Sequence, residues 1–292
     1  MFLLGPIIAL ISAAASGFSV VLVGRHSTES NAFNMSLLIS AVGLAVLWPL
    51  AMILTDFSNL NLVGTALFAI GGFLTPGLVR LFYYNGLKKL GTSINSSIFS
   101  IYPVYTAFLA FLFLSEILTP QSWIGVFSIA LGVVFVELTF KGLNNGQKAT
   151  TKNLLFPILG GATLGASAIL RKAALDLFDA PIFGVAVAYT ASFMLYAALL
   201  AGSRQKRQEL SLKRDMRFFW LAGLGQALSW ILSFYALSFE NVSVITPLLS
   251  VEPLFVVLLA YLYLRGKEHV SPKLVIGIVL TVIGVILVTS GI

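Results

Sequence analysis

Runs of apolar residues about twenty long, enough to cross a bilayer core of ~30 Å as a helix, follow one another along nearly the whole 292-residue chain. Ten such windows are predicted: Leu3 to Val23, Phe33 to Thr55, Asn61 to Gly86, Thr92 to Leu114, Ser122 to Phe140, Leu154 to Lys172, Ile182 to Gly202, Phe218 to Leu237, Val244 to Leu264 and Lys273 to Ile292. A transmembrane barrel is excluded, because its strands are about ten residues of alternating polarity and these runs are longer and apolar on every side. The first window is too long and uninterrupted for a signal peptide and lacks a basic segment before it, so it counts as a helix of the mature protein.

Charge supports this reading. Only 10% of the residues are charged, whereas a soluble domain carries about 25% and could not cover its surface with so few. The net charge of +7 fits Lys and Arg held in cytoplasmic loops and does not point to nucleic acid. With no Cys and two distant His, no thiolate or histidine metal site is expected, and no cofactor. The only long linkers are Lys141 to Asn153, near mid-chain, and the basic Ser203 to Arg217.

The halves repeat. An offset of 150 places Gly86-Leu87 on Ala236-Leu237, Ser93 on Ser243, Ser100 on Ser250 and Pro103 on Pro253. An offset of 152 then places Glu116 on Glu268, Pro120 on Pro272, Gly125 on Gly277 and Gly132 on Gly284. The expected organisation is a first repeat over residues 1–141, a linker over 142–153 and a second repeat over 154–292. Five helices per repeat is an odd number, so the second copy must be inverted. Loop charge agrees. Arg25, Lys88 and Lys89 follow helices one and three, while Arg204, Lys206, Arg207, Lys213, Arg214, Arg217, Arg265, Lys267 and Lys273 follow helices seven and nine. The opposite side holds only Arg171 and Lys172. By the positive-inside rule both termini are extracytoplasmic. The expected fold is therefore an all-α integral membrane protein, ten transmembrane helices in two inverted-topology five-helix repeats. Two such bundles can open a central cavity to each side in turn.

The stretch from Tyr83 through Ser93 and Pro103 to Glu116, Gly125 and Gly132, with its partner from Phe234 through Ser243 and Pro253 to Glu268, Gly277 and Gly284, resembles the EamA-type branch of the drug/metabolite transporter superfamily. The resemblance covers essentially the whole chain. It departs in the first helix, where members often carry a Trp-Gly pair and this chain has Ser16-Gly17. It implies a ten-helix secondary transporter, commonly an exporter of amino acids, other metabolites or drugs.

Charges inside spans cost roughly 2.5–3.5 kcal/mol each, so each needs a reason. Glu252 lies mid-span between Thr246-Pro247 and Pro253, in a helix expected to kink, and is the candidate proton carrier or amine ligand. Arg80 is its expected counter-charge, a substrate-carboxylate ligand or a snorkelling residue. Glu137, Arg171 and Lys172 sit at span ends and read as headgroup anchors. Asn95, Phe99, Tyr102 and Thr106 share a helix face, as do Gln226, Trp230 and Ser233. The candidate substrate-binding set is Glu252, Arg80, Tyr102, Trp230, Asn95, Phe99, Tyr84 and Gln226, suited to a zwitterion with an apolar body or an organic cation over ring faces. Glycines seven apart, at 17 and 24, 125 and 132, and 277 and 284, read as close helix packing.

The leading expectation is secondary active export of a small amphipathic, amino-acid-like metabolite by alternating access, from the cell (inner) membrane, by a monomer. Its partners are the substrate, the bilayer and, in one version, protons. The alternative is proton-coupled carriage of organic cations, drugs or quaternary amines. A channel and a membrane-embedded enzyme rank below both, since no phosphate loop and no paired nucleophile and base are present.

Overall fold

Hydrocarbon offers no partner to a backbone N–H or C=O, so apolar runs of this length satisfy their backbone internally as helices. The computed structural model describes residues 3–25, 32–90, 95, 98–138, 151–210, 212–263 and 272–291, and these residues are helical apart from turns and short loops. The helices are α1 (Leu4–Arg25), α2 (Ala32–Leu54), α3 (Leu62–Gly72), a wide-turn π segment (Phe73–Leu78), α4 (Val79–Leu90), α5 (Tyr102–Leu114), α6 (Pro120–Glu137) and α7 (Thr151–Leu177). They continue with α8 (Pro181–Ala201), α9 (Arg204–Glu209), α10 (Leu212–Phe239), α11 (Val242–Leu249), α12 (Glu252–Tyr263) and α13 (Pro272–Ser290). Among the described residues eight stretches are long and apolar enough to cross a membrane, with shorter apolar helices at Tyr102–Leu114 and Pro120–Val136. Large apolar side chains such as Ile53, Phe113, Ile117 and Met194 point outward, as a lipid-facing surface requires. Most of the predicted mid-chain linker and part of the fourth window, including Ser93, lie outside the described residues, as does Glu268.

Three windows are broken. In the third, Thr75 leaves the helix (φ −141°, ψ 121°) just before Pro76, whose ring denies the helix an N–H. In the ninth, the chain turns at Ser250–Val251 and restarts at Glu252, with Pro253 in the first turn, where proline is tolerated. Ser100–Ile101 make a similar turn before Tyr102 and Pro103. Glu252 and Tyr102 are thus both first residues of helices that begin inside the protein.

Close backbone approach joins the elements. In α6 and α13, a Cβ built on Gly132 would lie 2.6 Å from Thr281 N and 2.7 Å from Gly277 O. One on Gly284 would lie 2.7 Å from Gly125 O and from Ile129 N. Small residues allow this contact where no hydrophobic force drives helices together in lipid. A serine stripe does similar work between α1 and α10. Ser12 Oγ donates to Ser229 O at 2.7 Å, Ser229 Oγ to Ser12 O at 2.9 Å, and Ser19 Oγ to Ala222 O at 2.7 Å.

Glu116, in the turn after α5, caps α11 from across the molecule. Its carboxylate accepts from Val242 N and Ser243 N, both at 2.9 Å, and from Ser243 Oγ at 2.5 Å. Hydrogen bonds to a charged group contribute about 1.5–3 kcal/mol, and unmet buried donors cost about 1–3 kcal/mol each. Glu116→Ala is therefore expected to destabilise the fold by about 3 kcal/mol, read as an earlier unfolding midpoint in detergent titration, with Glu116→Gln in between.

Candidate functional site

α1, α5, α7, α10, α11 and α12 surround a cavity of about 140 Å³. Its polar lining is Ser12 and Ser16 from α1, Tyr102 from α5, Arg171 from α7, Gln226, Ser229, Trp230 and Ser233 from α10, Thr246 from α11, and Glu252. Ala13, Leu164, Ala168, Leu237 and Leu249 supply the apolar part. Each group arrives there by a local rule. The break after Leu249 exposes Glu252 on the first turn of α12, and the spacing of Gln226, Trp230 and Ser233 puts all three on one face of α10.

The cavity holds one acid and one base that do not touch. Ser16 Oγ donates to Glu252 Oε2 at 2.7 Å. The Arg171 guanidinium lies over Trp230, 4.9 Å from the ring centroid, and 5.6 Å from that of Phe234. Its Nε donates to Ser167 O at 3.2 Å. Among the described residues the one ion pair is Lys172–Asp176 at 3.3 Å, so neither cavity charge is consumed by the other. Cation–π contact stabilises a desolvated guanidinium by about 2 kcal/mol, which holds Arg171 in place while leaving N–H donors for a ligand.

Four of the sequence candidates line this cavity: Glu252, Tyr102, Trp230 and Gln226. The others do not. Arg80 donates from Nη1 to Ser36 O at 3.4 Å, toward α2 and not into the cavity. Asn95 is buried and donates to Tyr83 O at 3.2 Å. Phe99 packs edge-on to Tyr83, with centroids 5.0 Å apart, and tilts against Tyr102 at 5.9 Å. The side chains of Tyr84 and Glu137 lie outside the described residues.

The headgroup reading of Arg171 and Lys172 is corrected. Arg171 is 5% exposed. Lys172 donates to Leu237 O at 3.0 Å and pairs with Asp176 one turn on. The physical reason is that the membrane helix runs on to Leu177, beyond the predicted end at Lys172, because that local pairing lets a charged turn remain helical. Ser16 was legible only as a departure from the family's Trp. The signal that marks it is the Ser12, Ser16, Ser19 spacing, which puts three hydroxyls on one face of an apolar helix.

A second cavity, of about 240 Å³, lies near helix ends, lined by Thr55, Asp56, Asp179, Tyr235 and Ser238 among others. The Ser58 backbone and side chain beside Asp56 hold its carboxyl below the ordinary carboxylate range. It lacks a basic lining group, so the smaller cavity, which holds both an acid and a base, is the stronger candidate.

A sequence model of the EamA-like transporter family matches residues 3–138 and, a second time, residues 151–290. The chain belongs to this family. It is a multi-pass membrane protein of transporter type, built from two EamA repeats, and its candidate cavity draws residues from both. No curated protein matches the chain. A solved crystal structure shares the fold of this EamA-family chain at a TM-score of 0.76 and 16% identity, covering 98% of this chain and 97% of that one.

Proposed function

We propose that this EamA-family chain is a secondary active transporter that exports a small zwitterionic metabolite, amino-acid-like, by alternating access through the central cavity. The observation that carries the reading is the pair of opposite charges, Glu252 and Arg171, in one cavity with no ion pair between them. A zwitterion supplies the complement of each, an ammonium for the carboxylate and a carboxylate for the guanidinium. Tyr102 and Trp230 then flank its apolar body. Arg171 takes the role that the sequence assigned to Arg80. Volume argues against drug-sized ligands, since drug-sized sites span about 300–1,000 Å³ and this cavity has about 140 Å³.

Alternating access rests on two repeats of inverted topology, ten spans in all, rocking about the cavity. The loop-charge pattern supports that topology, and in this reading both termini are extracytoplasmic at the inner membrane, with the repeats at residues 1–141 and 154–292. A monomer suffices, because one chain contributes both walls of the cavity.

Protons are the coupling ion in this reading, and Glu252 carries them. Protonation of Glu252 breaks its attraction for the ammonium and leaves Ser16 as a neutral partner, so substrate and proton compete for one carboxylate. In proteoliposomes, a zwitterionic substrate is expected to show saturable uptake and counterflow, with Glu252→Gln flattening the pH dependence of transport. Single-channel conductance would refute the carrier. PH dependence unchanged in Glu252→Gln would remove the proton from the mechanism while leaving the carrier standing.

A further inference from the structure

Next to Trp230, reached through Tyr189, lies a set of buried polar groups that the central cavity does not use. Ser40 on α2, Thr75 at the break of the third span, and Tyr189 and Ser192 on α8 each carry a buried hydroxyl that makes no hydrogen bond. Native proteins pair nearly all such groups, so four in one region call for an explanation.

They do share a region. Gly43, one turn beyond Ser40, packs directly on the Tyr189 ring. Ser192, one turn beyond Tyr189, has its Cα 4.0 Å from where a Cβ of Gly77 would stand, and Thr75 is two residues before Gly77. Arg80, one turn after Gly77, bonds to Ser36, one turn before Ser40. These contacts link α2, the π segment and α8 around the hydroxyls, with α4 joined to α2 through Arg80. The Tyr189 ring meets Trp230 edge-on at 6.2 Å, so the ring of hydroxyls adjoins the cavity.

The chemistry of the region is that of a donor. The carbonyls of Pro76 and Gly77, freed by the break, already accept from Tyr196 OH at 3.2 and 3.0 Å. Among the described residues Arg80 has one long bond, to the Ser36 carbonyl, and no carboxylate partner. A metal cation would meet the repulsion of the guanidinium. Hydroxyls and a guanidinium together offer N–H and O–H groups to an acceptor of negative charge.

We propose that Arg80, Ser40, Thr75, Tyr189 and Ser192 form a second site, separate from the central cavity, that binds a compact anion. The shared chemistry is a single negative charge with room for several donors, as in a halide or a carboxylate. The anion neutralises Arg80 and ties the broken third span to α2 and α8.

The test is thermal unfolding of the purified full chain in a gluconate buffer, an anion too large for a site among packed helices. Adding chloride or bromide to ~100 mM is expected to raise the midpoint by about 3–5 °C. Arg80→Gln should abolish the shift. Ser192→Ala, a small change that a buried helix tolerates, should at least halve it while leaving the midpoint in gluconate equal or higher. Stabilisation by chloride identifies a free inorganic anion. Stabilisation by zwitterions or acetate but not by halides, lost in the same two variants, identifies a carboxylate. No stabilisation by any of these anions, or a shift that persists in both variants, overturns the proposal. None of these readings depends on transport, so failure here leaves the central cavity untouched and the reverse also holds.

Discussion

Arg171→Gln is expected to lower transport efficiency for a zwitterionic substrate by roughly 30- to 1,000-fold. Truncating one partner of a desolvated charge pair costs about 2–4 kcal/mol, and 1.4 kcal/mol is a factor of ten. The guanidinium is buried and set by the Trp230 face and by Ser167 O, so Gln neither reaches the same position nor carries the charge. Arg171→Lys should recover little, because an ammonium lacks the planar face that stacks on the indole and the fork that receives a carboxylate. The comparison that decides is with the decarboxylated amine of the same substrate. It has no carboxylate to lose, so its already weak transport should change by less than about threefold. Equal losses for zwitterion and amine would mean that Arg171 holds the helices and not the ligand.

Gly132→Val is expected to prevent stable folding. Its Cβ would stand 2.6 Å from Thr281 N and 2.7 Å from Gly277 O, and these are backbone atoms of α13 that cannot rotate aside. The helices would have to separate, losing contact along the whole seam from Gly125 to Gly132. Overpacking costs about 1–3 kcal/mol where a side chain can move, and more where backbone must. At Gly202, the C-cap of α8, the one neighbour of an added Cβ among the described residues is Ala198 O at 3.5 Å, so Gly202→Val serves as the control and should change the unfolding free energy by less than about 1 kcal/mol. Unfolding midpoints and monodisperse yield in detergent separate the two outcomes. Equal behaviour of the two variants would remove the seam from the account of stability.

Much of the cavity was legible because its chemistry is rare in lipid. Glu252 stands out as an acid inside an apolar run, and the prolines beside it mark the interruption that carries it to the first turn of α12. Gln226, Trp230 and Tyr102 follow from helical spacing. Arg80 and Arg171 show where that approach ends. Both are arginines near the ends of apolar windows, and nothing in the windows tells which one faces the cavity. The structure turns Arg171 inward because Trp230 and Phe234 of α10, more than fifty residues away, present their faces to it. Arg80 sits beyond the break at Thr75–Pro76, whose proline was in the window but does not tell which way the restarted helix turns, and its side chain bonds to α2. Asn95 and Phe99 share a face with Tyr102 by spacing, but the turn at Ser100–Ile101 interrupts the helix on which that spacing depends.

The sequence by itself determined the solvent and the class. Apolar runs, scarce charge and the repeated pattern of Ser, Pro, Glu and Gly specify a duplicated membrane transporter, because cost in hydrocarbon depends on composition and is the same wherever a helix points. Only the tertiary structure decided which polar groups meet. That depends on the rotation of each helix, on where α3 and α11 stop, and on approaches such as Gly132 to Thr281 between residues distant in the chain, and a single span's composition contains none of these.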